Sequence, residues 1–451
     1  MNINAFKAYD IRGRIPDELN EDIAYRIGRA YARLLKPKRV AVGRDIRPSS
    51  DGICSALKSG LMKGGADVFD IGLCGTEEIY FATFSEGMDG GIMVTASHNP
   101  MDYNGMKLLR DGARPISGDS GLLEIRDVAA SDDFADTSRV GSLFLLDSKD
   151  AYVKHLLGYI DRSSLKPFKV VVNAGNGCAG PIIDLLDHYL PFEFVKIHHD
   201  PDGTFPHGIP NPLLPENRAA TTQAVVDSSA DVGIAWDGDF DRCFFFDEKG
   251  NFVEGYYIVG LLAQALLATH SGEKIIHDPR LTWNTIDMVT SSGGTAVMSK
   301  TGHAFIKERM RQEDALYGGE MIAHHYFRDF AYCDSGMIPW LLVLQIMSTS
   351  GKSLSELLNE RIACFPVSGE INRTVNNASG VLKAIEAKYI ANAKVVAYTD
   401  GLSLEYPDWR FNVRMSNTEP LLRLNVEAKG NKELMQQKVS EILNYIHEVD
   451  R

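Results

Sequence analysis

The segment Gly91-Ile-Met-Val-Thr-Ala-Ser-His-Asn-Pro-Met-Asp-Tyr-Asn-Gly-Met-Lys107 joins an apolar strand to a dense polar turn. The strand delivers the hydroxyl of Ser97 onto the turn, and Asn-Pro and Asn-Gly dipeptides favour a turn there. A hydroxyl just past a strand end lies where open α/β sheets carry their chemistry. Serine is a weak nucleophile on its own, and His98 and Lys107 are close to it in the sequence. The segment therefore predicts an α/β sheet with a functional serine loop.

Length and composition indicate a globular protein of several domains. The chain has 451 residues, which suggests two to four domains of about 100–200 residues each. Its net charge of −13 argues against nucleic acid or an anionic membrane as a partner. The N-terminus lacks an apolar signal core, and the longest apolar runs, 258–268 and 337–347, predict buried helices because they are too short to span a bilayer. Six cysteines without metal or disulfide spacing favour a cytoplasmic protein with reduced thiols.

One pattern of strand, polar loop, helix and strand occurs three times, beginning at Arg39, Lys169 and Lys274. Its periodicity predicts three similar α/β domains, each with a loop at its strand ends. After about Phe365 the residues alternate like an antiparallel sheet and end in an amphipathic helix, which predicts an α+β domain. The expected domains are residues 1–147, 148–252, 253–366 and 367–451.

An acidic stretch, Asp237-Gly-Asp-Phe-Asp241, follows an apolar strand. Carboxylates at alternate positions of an extended chain point to one side and repel one another. A divalent cation would neutralise them, and ligands that are all oxygen favour Mg²⁺. The stretch therefore predicts a magnesium site formed by Asp237, Asp239 and Asp241.

Two other motifs begin with aspartates at this spacing. An EF-hand loop needs glycine where Arg242 stands, and it lies between helices rather than strands. A phosphatase that uses Asp-x-Asp as nucleophile and acid normally has Thr or Val where Asp241 stands. A sugar-phosphate phosphatase remains an alternative from a different reaction class.

Two loops carry further chemistry. Glu320, His324 and His325 fall within six residues beside a glycine turn, and His and Glu are the usual proton carriers. The stretch from Arg414 to Arg423 places hydroxyls, an amide and backbone N–H groups between two arginines, which is typical of a phosphate cradle.

Three other segments are interpreted by their composition. The glycine-rich loop 173–180 has neither P-loop nor dinucleotide spacing and is interpreted as structural. The loop 43–47 is interpreted mainly as an ion-pair loop for domain packing. Segment 199–217 is rich in proline and glycine, and a loop of this length is often functional.

The hexapeptide Thr95-Ala-Ser-His-Asn-Pro100 resembles, in full, the phosphoserine loop of the α-D-phosphohexomutases. Other segments resemble, in the same order, this family's N-terminal catalytic segment, metal loop, sugar-binding loop and phosphate-binding loop; they are residues 6–13, 235–242, 319–325 and 414–423. The resemblance implies an α/β fold in which three similar α/β domains, with mixed sheets between helices, and a C-terminal α+β domain surround a central cleft.

The resemblance also implies an isomerase that interconverts mannose 6-phosphate and mannose 1-phosphate for GDP-mannose and surface polysaccharide synthesis. The expected cofactors are Mg²⁺ and a hexose 1,6-bisphosphate that is both activator and intermediate. The expected partners are small hexose phosphates, with neither nucleic acid nor membrane. Met321 favours the branch that acts on mannose and glucose phosphates over the glucosamine branch, and the preference between the two epimers stays open. A non-catalytic sugar-phosphate sensor is a further alternative.

The resemblance assigns roles to individual residues. The implied catalytic residues are Ser97, Lys107, Arg12, His324 and His98. The implied substrate contacts are Tyr9, Arg242, Arg280, His303, Glu320, Arg414, Ser416, Asn417, Thr418 and Arg423. The implied metal ligands are Asp237, Asp239, Asp241 and the phosphate on Ser97.

Two points about these roles stay open. Either Lys107 or His324 would move the hydroxyl proton of the substrate. The chain also departs from the usual sugar-loop pattern, because Ile322 replaces a serine and Ala323 replaces a glycine.

Overall fold

The computed structural model describes residues 4–134, 137–416 and 421–450. The strands of the described residues are, in chain order, β1 Ile11–Arg14, β2 Arg39–Arg44, β3 Asp67–Leu73, β4 Gly90–Val94, β5 Tyr103–Arg110, β6 Arg114–Pro115, β7 Leu143–Leu145, β8 Lys169–Asn173, β9 Glu193–Ile197, β10 Val232–Trp236, β11 Cys243–Phe246, β12 Phe252–Val253, β13 Lys274–His277, β14 Thr295–Met298, β15 Tyr317–Gly319, β16 His325–Phe327, β17 Cys333–Asp334, β18 Ile371–Thr374, β19 Val395–Ala397, β20 Leu402–Glu405, β21 Trp409–Met415 and β22 Leu421–Ala428.

The α-helices of the same residues are α1 Glu21–Leu35, α2 Ser50–Lys63, α3 Thr76–Ser85, α4 Leu122–Ser131, α5 Lys149–Leu157, α6 Gly180–Asp187, α7 Ala219–Ser228, α8 Gly255–Thr269, α9 Trp283–Ser291, α10 His303–Glu313, α11 Ile338–Ser350, α12 Leu354–Cys364, α13 Ala378–Tyr389 and α14 Lys432–Val449.

The predicted pattern of strand, loop, helix and strand forms in all three places. In each copy the two strands pair in parallel, as β2 with β3, β8 with β9 and β13 with β14. A helix connects them each time, because parallel neighbours need a crossover connection. The polar loop after the first strand therefore lies at the carboxyl end of a sheet strand, where chemistry is carried in such folds.

The chain divides into two compact units. Unit 1 contains the described residues of Met1–Phe252 and His324–Gly351, and unit 2 those of Val253–Ala323 and Lys352–Arg451. The bounds of the four domains expected from the sequence stay a prediction.

Unit 1 contains two mixed sheets. The first has the strand order β1-β5-β4-β2-β3-β7, with β6 paired to β5, and the second contains the order β11-β10-β8-β9. Strand β4 is parallel to β2 and antiparallel to β5, so the chain turns back directly after β4. Strand β10 likewise pairs in parallel with β8 and antiparallel with β11. Both β4 and β10 are buried throughout, and each is followed by a polar turn.

The core of the first sheet is built from its apolar strand runs and two amphipathic helices. Ile23 and Ile27 of α1 and Leu57 of α2 pack in one cluster with Val40 and Val42 of β2, and all five are buried. Full burial of each such side chain stabilises the fold by about 1.5–3 kcal/mol. This packing holds the strand ends that carry the polar turns.

The two long apolar runs form helices, as predicted. They lie within α8 and α11, in which most residues are buried. None of the helices that the structure describes has both the length and the apolar character needed for a membrane span.

Unit 2 contains the parallel strands β14, β13 and β15 and an antiparallel sheet of order β18-β22-β21-β20-β19. The second sheet matches the alternation predicted after Phe365, and α14 is the predicted amphipathic helix. The buried carboxylate of Glu427, on β22, accepts hydrogen bonds from the Thr282 backbone N–H at 2.7 Å and from Arg410 at 2.8 Å. It thereby fixes the antiparallel sheet to the loop after β13.

Candidate active site

The predicted serine loop follows β4. Ser97 is buried and has a left-handed backbone, with φ of +49°. Its backbone N–H donates to Oγ1 of Thr95 at 2.8 Å. Its hydroxyl donates to Oδ2 of Asp237 at 2.7 Å and lies 3.0 Å from Nδ1 of His98. The serine hydroxyl therefore points at the acidic loop that follows β10.

The aspartates do not lie along an extended chain, so that part of the prediction was wrong. Strand β10 ends at Trp236 and β11 begins at Cys243, and a tight turn lies between them. In this turn Phe240 is left-handed, with φ of +44°, and its N–H donates to the carbonyl of Asp237 at 3.1 Å. The reversal of the turn, rather than strand alternation, brings the three carboxylates together.

The aspartate turn fits a divalent cation. One carboxylate oxygen from each of Asp237, Asp239 and Asp241 lies within 4.8 Å of the others, and all three side chains are buried. Oδ1 of Asp239 is buried and has no hydrogen-bond partner within the described residues. Burial first, and then the charge of Asp239, raises the pKa of Asp241 to about 6. Carboxylate oxygens are the ligands that Mg²⁺ prefers, so the three aspartates of this turn match such a cation.

Lys107 lies on β5, beside β4, and is directed at the carboxylates. Its ammonium donates to Asp239 at 2.8 Å, to Asp241 at 2.5 Å and to Oγ1 of Thr76 at 3.2 Å. Burial opposes the charged form, but Asp239 and Asp241 raise the pKa of Lys107 above its usual value. Thr76 also donates to Asp239 at 2.6 Å. Thr76 was not identified from the sequence, since a threonine that opens a helix gives no signal of its own.

Arg242 connects the aspartate turn to the serine loop. Its Nε and Nη2 donate to Oδ2 of Asp237 at 3.0 and 2.7 Å, and Nη2 lies 3.5 Å from the hydroxyl of Ser97. Nη2 also contacts Nδ1 of His98. Burial, followed by the charges of Arg242 and Arg12, holds the pKa of His98 well below its usual range. His98 is therefore a neutral acceptor in this site.

Arg12 approaches the same loop from β1. Its Nε donates to Asp10 at 2.8 Å and its Nη1 donates to the side-chain oxygen of Asn99 at 2.5 Å. Burial works against this charge, but Asp10 raises the pKa of Arg12. The protonated guanidinium of Arg12 is thus bound to Asn99, which is two residues after Ser97 in the chain. Tyr9, the predicted substrate contact nearby, is half-buried in the turn before β1.

A second cluster in unit 1 contains His324. Nδ1 of His324 lies 3.0 Å from Oδ2 of Asp334, and Asp241 is close enough to both for the three to share a metal ion. The chain after Asp334 is fixed by the buried Glu77, which accepts from Oγ of Ser335 at 2.9 Å. Asp334 was missed by the sequence reasoning, although an acid between Cys333 and a Ser-Gly turn is a usable signal.

Unit 2 gathers three of the predicted arginines around one carboxylate. Glu370 lies 3.6 Å from Nη1 of Arg280, 3.1 Å from Nη2 of Arg414 and 3.5 Å from Nη1 of Arg423. Burial opposes ionisation, but these arginines lower the pKa of Glu370. The sequence reasoning missed Glu370, because an acidic residue at the edge of a strand is common.

Arg280 also connects this cluster to the predicted sugar-binding loop. It is fully buried, and its Nη2 donates to Asp278 at 2.9 Å and to Glu320 at 3.3 Å. Asp278 in turn accepts from the N–H of Met321 at 2.8 Å. The structure therefore brings together Glu320 and the predicted phosphate-cradle arginines within unit 2.

Four predicted substrate contacts remain. Ser416 is half-buried, and its N–H donates to the carbonyl of Leu421 at 3.0 Å. His303 is half-buried at the start of α10. Asn417 and Thr418 lie outside the described residues.

Comparison with known families accounts for nearly the whole chain. The alpha/beta/alpha domains I, II and III of the phosphoglucomutase/phosphomannomutase family match residues 4–136, 150–250 and 254–365. The C-terminal domain of the same family matches residues 370–444.

Individual relatives agree with these matches. The chain is 61% identical over 454 residues to a phosphomannomutase of Salmonella montevideo, with 99% of each chain covered. It is 59% identical over 446 residues to a protein named phosphohexose mutases of Xanthomonas campestris pv. campestris, with 99% of this chain and 100% of the relative covered. A crystal structure of a phosphoglucomutase/phosphomannomutase family protein from Burkholderia thailandensis superimposes with a TM-score of 0.89 at 33% identity, and it covers 100% of this chain and 99% of that one. The chain belongs to the phosphoglucomutase/phosphomannomutase family, the α-D-phosphohexomutases.

Proposed function

We propose that this chain is a phosphomannomutase, an isomerase that interconverts mannose 6-phosphate and mannose 1-phosphate. The observation that carries the proposal is the 2.7 Å hydrogen bond from the Ser97 hydroxyl to Asp237, within a buried turn of three aspartates. The name of the Salmonella montevideo relative supports the mannose substrate.

The proposed cofactor is Mg²⁺, held by Asp237, Asp239, Asp241 and a phosphate on Ser97. A phosphoryl group brings nearly two further negative charges beside three buried carboxylates. When bound, the cation neutralises charge on the transferring phosphoryl group.

The phosphoserine gives its phosphoryl group to the free hydroxyl of the substrate. The bond from phosphorus to Oγ of Ser97 breaks, a bond to the sugar oxygen forms, and the hydroxyl proton passes to a base. The resulting hexose 1,6-bisphosphate reverses its orientation, and its other phosphoryl group returns to Ser97. Arg12, Arg242 and Lys107 supply the positive charge that transfer needs, because all three are held close to the serine loop or the aspartate turn.

His324 is the proposed base. Lys107 is occupied by Asp239 and Asp241, which stabilise its protonated form. A histidine with one ring nitrogen beside a carboxylate has the arrangement of a general base oriented by a third group, and Asp334 lies beside His324 in this way.

The unit 2 cluster is proposed to bind the remainder of the substrate. Arg414 and Arg423, with Ser416, Asn417 and Thr418, would hold the phosphate that is not reacting. Glu320, His303 and Arg280 would contact the sugar or support its contacts, and Tyr9 of unit 1 stays a predicted substrate contact. Contacts to the phosphate that is not reacting would help to align the reacting atoms.

The proposed setting is the cytoplasm, where the product would supply GDP-mannose and surface polysaccharide synthesis. All six cysteines are free thiols, which suits a reducing compartment.

The test combines mass measurement with a coupled assay. The protein purified from cells should carry one phosphoryl group on Ser97, seen by intact mass and peptide mapping, and Ser97→Ala should lose turnover. The parent should convert mannose 1-phosphate without net release of inorganic phosphate. Rapid phosphate release would identify a phosphatase, and a strong preference for glucose 1-phosphate in a parallel assay would identify a phosphoglucomutase.

A further inference from the structure

The side chain of Arg47 is inserted into the turn that carries the serine. It is fully buried, and its two terminal nitrogens donate to backbone carbonyls. Nη2 donates to Ser97 at 2.8 Å and to Asn99 at 2.6 Å. Nη1 donates to Pro100 at 2.6 Å and to Tyr103 at 3.2 Å. One guanidinium thus holds four carbonyls within residues 97–103, from the serine turn to the first residue of β5.

The guanidinium is itself held from two sides. Its Nε lies 3.2 Å from Oδ2 of Asp45, whose Oδ1 accepts from the Arg47 N–H at 3.1 Å and from the hydroxyl of Ser50 at 2.5 Å. The ring of Phe205 covers the guanidinium, with its centroid 5.3 Å from the central carbon. Phe205 belongs to the long loop 199–217, for which the sequence offered no specific role.

The turn needs such a support for two physical reasons. Its carbonyl oxygens converge on one guanidinium, and the carbonyl of the buried Ser97 would cost about 1–3 kcal/mol if it had no donor. Ser97 also has a left-handed backbone, a conformation that costs a residue with a side chain about 1–2 kcal/mol. Strained conformations of this kind persist only where the surrounding structure determines them.

We infer that Arg47 is a positioning residue for phosphoryl transfer, which keeps the Ser97 turn in the conformation that directs its hydroxyl at Asp237. Arg47 acts through the backbone of the turn and touches no reacting atom. The inference rests on the proposed phosphoserine mechanism, and it replaces the interpretation of loop 43–47 as mere domain packing. It also gives loop 199–217 a role, since Phe205 covers the guanidinium.

The main test compares Arg47→Lys with Arg29→Lys. Lysine keeps the charge at position 47 but lacks the planar fork that reaches four carbonyls. Arg29 is a buried arginine of α1 in the same unit, beside Tyr25 and Phe134, and serves as the matched control. Arg47→Lys should lower kcat about 100-fold, because small misplacement of reacting groups costs that much, and should change the KM for mannose 1-phosphate by less than about twofold.

Two further readouts separate positioning from stability. The ³¹P resonance of the phosphoserine should shift or broaden in Arg47→Lys and stay in place in Arg29→Lys, with thermal unfolding measured for both. Parental kcat and an unchanged resonance in Arg47→Lys would overturn the inference. Equal losses of kcat in the two variants would overturn it as well, because general destabilisation would then explain them.

A milder variant keeps the inference testable if Arg47→Lys fails to fold. Phe205→Leu removes the aromatic cover and leaves Arg47 in place, and it should lower kcat several-fold at parental KM. Parental kcat in folded Phe205→Leu would then count against the inference. A failure of the proposed phosphoserine mechanism would be seen in the parent protein, not in the variants. The parent would then be fully active with no phosphoryl group on Ser97.

Discussion

The backbone of Gly238 packs directly against the carbonyl group of Ser97. A methyl group on the α-carbon of Gly238 would come 2.6 Å from that carbonyl oxygen. Real side-chain carbons do not approach an oxygen this closely, so the aspartate turn and the serine turn meet only because residue 238 has no side chain. The spacing between the serine hydroxyl and the carboxylates of the aspartate turn is therefore set by contact between two backbones.

Gly238→Ala should push the two turns apart and lower kcat by about 100-fold, since the serine hydroxyl would leave its position beside Asp237. The measurement is kcat for mannose 1-phosphate in a coupled assay. Gly52→Ala is the control, because its new methyl group would meet only the flexible end of the Glu21 side chain and alanine suits the interior of α2. Parental kcat in Gly238→Ala would show that the backbone contact does not set the site.

Asp239→Asn should lower the Mg²⁺-dependent turnover by about 100-fold or more. The substitution removes a carboxylate from the proposed cation site, and it also removes the charge that pairs with Lys107. The measurement is kcat as a function of Mg²⁺ concentration. Asp247→Asn removes a carboxylate of similar burial that accepts from the N–H groups of Lys249 and Asn251, outside the metal turn. It should lower stability and keep the Mg²⁺ dependence. Equal Mg²⁺ dependence in Asp239→Asn and the parent would contradict the metal assignment.

Asp334→Asn should lower kcat about 10- to 100-fold, because the carboxylate beside Nδ1 of His324 orients the proposed base. His324→Gln should lower kcat further. Combining the two substitutions should add little to the loss from His324→Gln, since Asp334 is expected to act through His324. Fully additive losses in the double mutant would show that the two residues act independently.

Acid stability should depend on His325. Burial first, and then the neighbouring His324, lowers the pKa of His325 to about 3. In the unfolded chain His325 binds a proton near pH 6.5, whereas in the folded chain it stays neutral down to about pH 3. The contribution of His325 to the stability of the folded state is therefore fully present above pH 6.5. It is lost as the pH falls from 6.5 toward 3. At pH 5 the loss is about 2 kcal/mol relative to pH 7.

His325→Gln should therefore destabilise the protein less at pH 5 than at pH 7, with the difference read from urea midpoints at both values. His188→Gln, at the exposed histidine that caps the C-terminus of α6, is the control for the loss of a surface imidazole. If His325→Gln lowered the free energy of unfolding equally at pH 5 and pH 7, the folded protein would not hold His325 in its neutral form at pH 5.

Ala323, in the predicted sugar-binding loop, has a left-handed backbone conformation. This buried alanine has φ of +71°, at a position where the usual family pattern has glycine. Ala323→Gly should raise stability by about 0.5–1 kcal/mol, because relief of the left-handed strain exceeds the added freedom of the unfolded chain. Thermal unfolding measures the change. Ala315→Gly, at another buried alanine of the same unit, should instead lower stability by about 1 kcal/mol. Equal losses in both variants would mean that residue 323 is unstrained.

Much of the fold was predictable because it follows from local pattern. Apolar runs bounded by polar loops predicted the three parallel strand pairs. The alternation of apolar and polar residues after Phe365 predicted the antiparallel sheet. Residue types and spacing also pointed to the Ser97 loop and the aspartate turn. The turn geometry was missed, since the left-handed backbone of Phe240 leaves no mark in its residue type.

Residues that act through distant partners were the ones the sequence did not disclose. Glu77 accepts from Ser335, which is 258 positions away, and Arg47 binds carbonyls about 50 positions away. Glu77 has no local motif, and the motif around Arg47 indicates an ion pair but not the carbonyl partners, which only the folded chain brings near. Glu370 is similar, since three arginines from separate elements converge on it.

The cluster around Glu370 has a consequence for how firmly a ligand can be retained. Its arginines already share an internal anion, so a phosphate arriving at Arg414 and Arg423 gains less than it would from unpaired guanidiniums. The proposed mechanism requires the bisphosphate intermediate to be released, to reverse its orientation and to bind again, and weaker binding of its second phosphate would favour that release. Glu370 would then act as a built-in competitor that prevents the intermediate from becoming trapped.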